Sequence, residues 1–282
     1  MDKERLTKEL LESWKVPSEK TKAEAWEAIQ VRIDTQQLAP KAKIVSMRRF
    51  AWTAVAAACV ALAVFAIWPR EEWVEFAQIQ KGNEAIELPD GSQIWLNADS
   101  KLRYEKNEWS SMRTVYLSGE AYFEVEKGSK FSVTTSEGIV SVLGTSFNVY
   151  DRLNELEVEC YTGSVGVEVS EDELVLYPGE GALVESGDLS SPFAIETTGP
   201  EWKEGYYRFR NEDATRIFDE LERQFGCTIE VPTGLDKRST CEFDCLNLNQ
   251  ALTIVCLSMD LGFEIGKNLK VSIWETKEMA QP

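Results

Sequence analysis

Hydrophobic positions change period three times along this chain, and the changes divide it into segments. In the first 40 residues they fall at helical spacing. Leu6, Leu10, Leu11 and Trp14 recur with charged residues between them, which predicts an amphipathic helix. After Val16 and Pro17, Ser18 is a candidate N-cap for a second helix with Ala25, Trp26, Ile29 and Ile33 on one face. Residues 1–40 therefore read as a short α-helical arm, and 41–49 as a basic linker. The two stripes could pack on each other. Fewer than ~40 residues, however, rarely bury enough surface to be stable alone. Two tryptophans on so small a unit favour a face completed by a partner, as when a helix lies in a groove.

Residues 50–68, FAWTAVAAACVALAVFAIW, are uncharged and apolar throughout. At helical rise they span about 28 Å, close to the ~30 Å of a bilayer core. Backbone groups in lipid must be satisfied within the segment, so one transmembrane helix is expected. Trp52 and Trp68 stand near its ends, where indoles favour the headgroups. A cleaved leader would lie at the extreme N-terminus, and 49 residues precede this run. Lys41, Lys43, Arg48 and Arg49 come before it, whereas Arg70, Glu71 and Glu72 follow. The positive-inside bias places the arm in the cytoplasm and the larger body outside, in the periplasm of a cell with two membranes.

From 73 to 195 the period is two. IELPDGSQIWLN (86–97) reads as strand, Pro-Asp-Gly turn and strand, with Ile94 and Leu96 on one face. Strand patterns follow at 114–126, 131–135, 138–150, 156–169 and 173–185, punctuated by glycines. An all-β domain is predicted, sandwich or solenoid. After Pro200 the elements mix. YYRFR (206–210) is a strand, and a helix begins at a cap on Asn211 with Ile217, Leu221 and Phe225 buried. CTIEV, STCEFD, a helix over 247–259, GFEIG and LKVSIWE complete a β-α-β-β-α-β-β order, an α+β domain over 203–276.

Charge sharpens the partition. Residues 1–49 carry 11 basic and 8 acidic side chains, a net of +3, whereas residues 70–282 carry 19 and 40, a net of −21, which together give the chain's −18. So acidic a body would repel nucleic acid. There is no histidine, which removes the commonest general base and metal ligand together. A Ser-His-Asp arrangement is impossible, no glycine-rich phosphate loop follows a strand, and no enzyme activity or cofactor is expected. Cys59 sits in the apolar run. Cys227, Cys241, Cys245 and Cys256 cluster, but without the CxxC pairs of a zinc site. They are buried thiols or contain one disulfide.

The segments LPDGSQIWLN, GEAYFEV and VLGTSFNV, in this order, closely resemble the FecR family of membrane-spanning anti-sigma factors. The resemblance covers about 73–275, with the arm matching more loosely. The C-terminal unit is similar to the domain that follows in Bacteroidetes-type members, related to the short N-terminal domains of secretins and TonB-dependent transducers. It implies that the cytoplasmic arm binds an extracytoplasmic-function sigma factor. It also implies that the body reads a TonB-dependent outer-membrane receptor through that receptor's signalling domain, with proteases in or beside the membrane carrying the signal. The arm is shorter than in the best-known members, which leaves inhibition, activation or both open.

On that resemblance Leu10, Trp14, Trp26 and Ile29 are the expected sigma-binding residues. Phe209, Val271 and Ile273 mark strands whose edges could accept a receptor strand. Pro89, Asp90, Gly91, Gly119, Glu120, Gly144 and Phe147 belong to the family signature and are read as structural. Gly91 should supply a positive φ, Gly119 and Gly144 turns or bulges, and Tyr122, Phe123 and Phe147 sheet core. The alternative from another class is a membrane-anchored periplasmic module binding glycans or proteins, since five of the nine tryptophans lie in the body.

Overall fold

The computed structural model describes residues 7–9, 21–37, 47–67, 71–79 and 84–276. Two compact units emerge, Met1–Pro69 and Arg70–Pro282. In the first, α1 is Lys22–Gln37 and α2 is Met47–Ile67. The cap of α1 is Thr21 rather than the expected Ser18, which lies outside the described residues. The Thr21 N–H donates to Glu24 Oε2 (2.7 Å) and the Glu24 N–H to Thr21 Oγ1 (3.4 Å). This reciprocal T-x-x-E capping box is stronger than a lone serine because it satisfies two orphan donors. The 21-residue α2 carries the apolar run as far as Ile67, while Trp68 lies outside the described residues. Among the described residues no helix is long and apolar enough to cross a membrane.

The second unit opens with fourteen strands: β1 Trp73–Gln78, β2 Ile86–Glu87, β3 Gln93–Leu96, β4 Ser100–Glu105, β5 Arg113–Glu124, β6 Phe131–Thr134, β7 Ile139–Val142, β8 Ser146–Arg152, β9 Glu155–Cys160, β10 Val165–Val169, β11 Asp172–Leu176, β12 Glu180–Glu185, β13 Asp188–Leu189 and β14 Phe193–Ala194. The 12-residue β5 organises them. Its first half pairs with β4 and, in parallel, with β6; its second half pairs with β3 and β8. The strand changes partners at Gly119, whose φ of +108° admits the bend. A Cβ there would stand 2.5 Å from Ser100 Oγ and 2.7 Å from Ser100 Cα. Only glycine lets the two backbones approach so closely.

Because of that bend the sheet curls, and the inward side chains of both halves share one core. Leu102, Val115, Val133, Val140 and Val167 come from one half, and Ile94, Phe123, Phe147, Val158 and Val184 from the other. Phe123 stacks on Phe147 at 4.9 Å and meets Phe131 edge-on at 6.2 Å. Each large apolar side chain buried here contributes about 1.5–3 kcal/mol. All pairs in this lobe except β5–β6 are antiparallel. The arrangement is thus a curled antiparallel sheet, and the solenoid alternative does not apply. The Leu88–Gly91 turn closes by a Gly91 N–H bond to the Leu88 carbonyl (2.9 Å) with Gly91 at φ +87°, as expected. The single strand predicted over 138–150 is instead β7 and β8, broken around Gly144 at φ +152°.

The second lobe contains α3 Glu201–Glu204, β15 Tyr206–Asp213, α4 Ala214–Phe225, β16 Thr228–Glu230, β17 Arg238–Asp244, α5 Leu248–Ser258, β18 Leu261–Ile265 and β19 Lys270–Glu275. Its sheets are β15–β17 and β16–β19–β18, with β16 and β19 parallel. Ile217, Leu221, Leu252, Val255 and Val271 fill its core. The cap of α4 is Asp213, which accepts from the Thr215 N–H at 2.8 Å. Asn211, expected in that role, instead sits at φ 51° in the register shift of β15. Cys160, Cys227, Cys241 and Cys256 are buried, and no disulfide links them. Burial pushes the Cys160 and Cys227 thiols up to about 11 and Cys256 to about 12, which keeps them protonated and unreactive.

Candidate functional site

Side chains on a strand alternate between faces, so the half-sheet of β3, β5, β8 and β9 has a second face. Trp95, Glu120, Tyr122, Asn148, Tyr150, Glu157 and Glu159 alternate with core residues along those strands. That outer face receives the second lobe. Helix α4 turns Ile217 and Leu221 into its own core, and sets Arg216, Glu220 and Gln224, four residues apart, against the first lobe. Its polar stripe is therefore a buried contact surface.

A hydrogen-bond network fills the junction. Glu120, 7% exposed, accepts from Asn97 Nδ2 at 2.7 Å and Asn148 Nδ2 at 2.9 Å. Asn97 Oδ1 in turn accepts from the Tyr207 hydroxyl (3.0 Å) and Gln224 Nε2 (2.8 Å), both of the second lobe. Trp202 Nε1 donates to Asn148 Oδ1 at 3.3 Å. Gln224 Nε2 also reaches Glu220 Oε1 at 2.7 Å, and Arg223 pairs with Glu220 at the same distance. At the rim Arg216 bridges Glu157 (3.0 Å) and Glu155 (3.4 Å), with its guanidinium 4.7 Å from the Tyr150 ring centre. On the other side Lys203 lies over the Trp95 ring at 3.6 Å.

Burial dominates the electrostatics. Loss of water, reinforced by the nearby Glu220 charge, pushes the Glu120 carboxyl up to about 7 against the pull of its two amide donors. Burial likewise raises Glu159 to about 7, although the Tyr161 hydroxyl donates to it at 2.5 Å.

The residues predicted from sequence scatter around this junction. Of the signature, Asp90 accepts from Ser92 and holds Arg113 in a buried ion pair at 2.8 Å, and Phe147 is core. Glu120 has a larger part than a structural one within its own lobe, for it is the centre of the lobe contact. Phe209 lies on β15, whose single strand partner among the described residues is β17. Val271 and Ile273 do not mark an edge. Their strand β19 is the middle of its sheet, flanked by β16 and β18, and both side chains are core. Trp26 and Ile29 are 64% and 49% exposed on α1, whereas Leu10 and Trp14 lie outside the described residues. Asn97, Asn148, Tyr207 and Gln224 escaped the sequence reading. Their one available cue was polar residues at outward positions of aromatic-rich strands. Of the five body tryptophans, Trp109 and Trp202 are buried, Trp95 lies under Lys203 beside Tyr122, and the exposed Trp73 and Trp274 sit on strands of different sheets.

Two family models match this unit. The one described as FecR protein covers residues 78–166, and the one described as FecR, C-terminal covers 206–272. The chain belongs to the FecR family. Two crystal structures of a candidate anti-sigma factor from Parabacteroides distasonis ATCC 8503 are similar to it. Each has a TM-score of 0.67 at 25% identity and is covered in full by 73% and 72% of this chain, respectively. No curated protein matches the sequence. The junction described above therefore joins the two segments by which this FecR-family chain is recognised, and the family supports a regulatory role with a sigma factor as partner.

Proposed function

We propose that this FecR-family regulator is a transmembrane anti-sigma factor. Its arm holds an extracytoplasmic-function sigma factor in the cytoplasm, residues 50–68 cross the inner membrane, and the body stands in the periplasm. There it reads the signalling domain of a TonB-dependent outer-membrane receptor, and proteolysis in or beside the membrane carries the signal inward. The protein acts by binding rather than catalysis and does not touch nucleic acid. The observation that carries this reading is the arm beside a FecR body. Every described side chain from Thr21 to Thr35 is exposed, including Trp26, Ile29 and Ile33 on α1. Among the described residues nothing covers those apolar side chains, and an uncovered apolar face is completed by a partner. The membrane reading draws on the uncharged run itself and on the exposure of Trp52, Val60, Leu62 and Phe65 along α2. For the receptor, the edge of β15 beside Phe209, unpaired among the described residues, replaces the β19 edge.

The test is co-purification of the full chain in detergent with each extracytoplasmic-function sigma factor of its own genome, expressed singly. One of them should be retained, and retention should fall at least tenfold in the Trp26→Ala, Ile29→Ala double variant. Retention of none, or retention indifferent to that double change, would overturn the proposal.

A further inference from the structure

Between the lobes lies a cleft of about 620 Å³. Glu120, Tyr150 and Glu159 line it from the first lobe, and Trp202, Tyr207 and Glu220 from the second. Most carboxylates around it already have a cation. Arg216 holds Glu155, Glu157 and Glu212, Arg223 holds Glu220, Arg208 holds Glu201, and Arg210 holds Glu196. Glu120 and Glu159 are the exceptions: among the described residues no Lys or Arg nitrogen pairs with either. Glu120 is held by two neutral amides and Glu159 by a phenol. A second, independent feature lies in the same cleft. Tyr150 is only 6% exposed, and among the described residues its hydroxyl has no hydrogen-bond partner. Buried polar atoms are nearly always satisfied, and an orphan in a cleft marks a place where something is missing.

We propose that the cleft is a binding site for an organic cation, a primary ammonium or guanidinium group, which donates hydrogen bonds to Glu120, Glu159 and the Tyr150 oxygen. The chemistry fits in three respects. Two desolvated carboxylates with no ion-pair partner among the described residues, Glu120 feeling only the more distant Arg152 charge, attract a charge that must leave water. The Trp202 and Tyr207 rings offer apolar, π-rich walls of the kind that accept ammonium groups. A bare metal ion suits the site less well, since among the described residues no cluster of three or more His, Cys, Asp or Glu could hold one. The cation could arrive as a free amine or as the Lys or Arg side chain of a protein partner. Both present the same donors.

Cation and proton compete for these oxygens. Glu120 faces Glu220 from α4, Arg152 from its own sheet and Tyr207 from β15, while Glu159 faces Glu157, Tyr161 and Glu201. Both carboxyls sit near 7, so binding should strengthen as pH rises through neutrality and should release protons below it.

Calorimetric titration of the full chain in detergent tests the idea with three probes: 1,4-diaminobutane, the methylamide of Nα-acetyl-lysine, and neutral 1,4-butanediol. At least one cation should bind at pH 8 and at least tenfold more weakly at pH 6, since each carboxylate titrating near 7 contributes about a factor of ten, and the diol should not bind. Binding by the diamine alone identifies a small amine as the source. Binding by the lysine derivative alone identifies a side chain. Glu159→Gln, at a half-buried position that does not threaten folding, should weaken binding at least tenfold, and Tyr150→Phe several-fold. Failure of both cations, binding of the diol to the same degree, or undiminished binding by the Glu159→Gln protein would overturn the proposal.

Discussion

Replacing Glu120 by Gln should stabilise the body at pH 8 and destabilise it at pH 5. The native carboxyl titrates near 7, raised from 4.5 chiefly by burial. In the unfolded chain it reverts to an ordinary glutamate. Between those values the folded state binds more protons than the unfolded one, so this group's contribution is fully present below about 4.5 and is lost as pH rises to 7. A rise of that size corresponds to roughly 3 kcal/mol at about 1.36 kcal/mol per unit. The glutamine carries no charge and escapes the high-pH penalty. It does lose one acceptor, because Asn97 and Asn148 both donate to the native carboxylate while their own oxygens are engaged by Tyr207, Gln224 and Trp202. An unsatisfied buried donor costs about 1–3 kcal/mol. At pH 5 the native carboxyl is protonated, but its hydroxyl oxygen can still accept where the glutamine amide nitrogen cannot. The balance is therefore a gain of about 1–2 kcal/mol at pH 8 and a loss of similar size at pH 5. For a unit of this length each kcal/mol moves the melting temperature by about 2–4 °C. Tryptophan fluorescence melts of native and Glu120→Gln protein at the two pH values read the difference directly. A shift of the same sign at pH 5 and pH 8 would show that Glu120 does not titrate in this range and would refute the reasoning.

Gly119→Ala should cost about 3 kcal/mol or more in urea unfolding, since φ is +108° and Ser100 stands 2.5–2.7 Å from the new Cβ. Gly179→Ala is its control: φ is +88° with nothing within 4 Å, so backbone strain alone should cost only about 1 kcal/mol. Phe123→Ala removes a fully buried ring stacked on Phe147 and should cost about 3–5 kcal/mol in the same assay. Equal losses for the two glycine variants would mean that close packing at Ser100 does not constrain the bend.

Period two was enough to find most strands, because one face of each is buried: Ile94 and Leu96 point inward as the alternation requires. The caps were less secure. Asn211 and Asp213 are both good cap residues, and only the pairing of Asp213 with Arg238 across β15–β17, which keeps the chain extended to that point, selects the later one. The edge assignment of β19 failed for a similar reason. Its parallel partner β16 is some forty residues away, and nothing local to LKVSIWE announces it. Glu120 could be recognised as part of the signature, but not as buried. Its environment is assembled from Asn97 on one lobe and Gln224 on the other, 127 residues apart.

That assembly explains why helix α4 reads as an ordinary amphipathic surface helix. Arg216, Glu220 and Gln224 look like a solvated stripe, and every one of them would be content in water. Burial is tolerated because the opposite face offers matched partners: carboxylates for Arg216, and the Asn97 amide oxygen for Gln224. Such a junction differs mechanically from an apolar one. A small displacement breaks hydrogen bonds before water can enter and leaves buried groups unsatisfied, at about 1–3 kcal/mol each. Full separation returns every group to water and forfeits mainly the rings of Tyr122, Tyr161, Trp202 and Tyr207. The steepest resistance therefore comes at the start of opening. A polar seam of this kind holds the two lobes in one register without the large hydrophobic interface that would make their association irreversible.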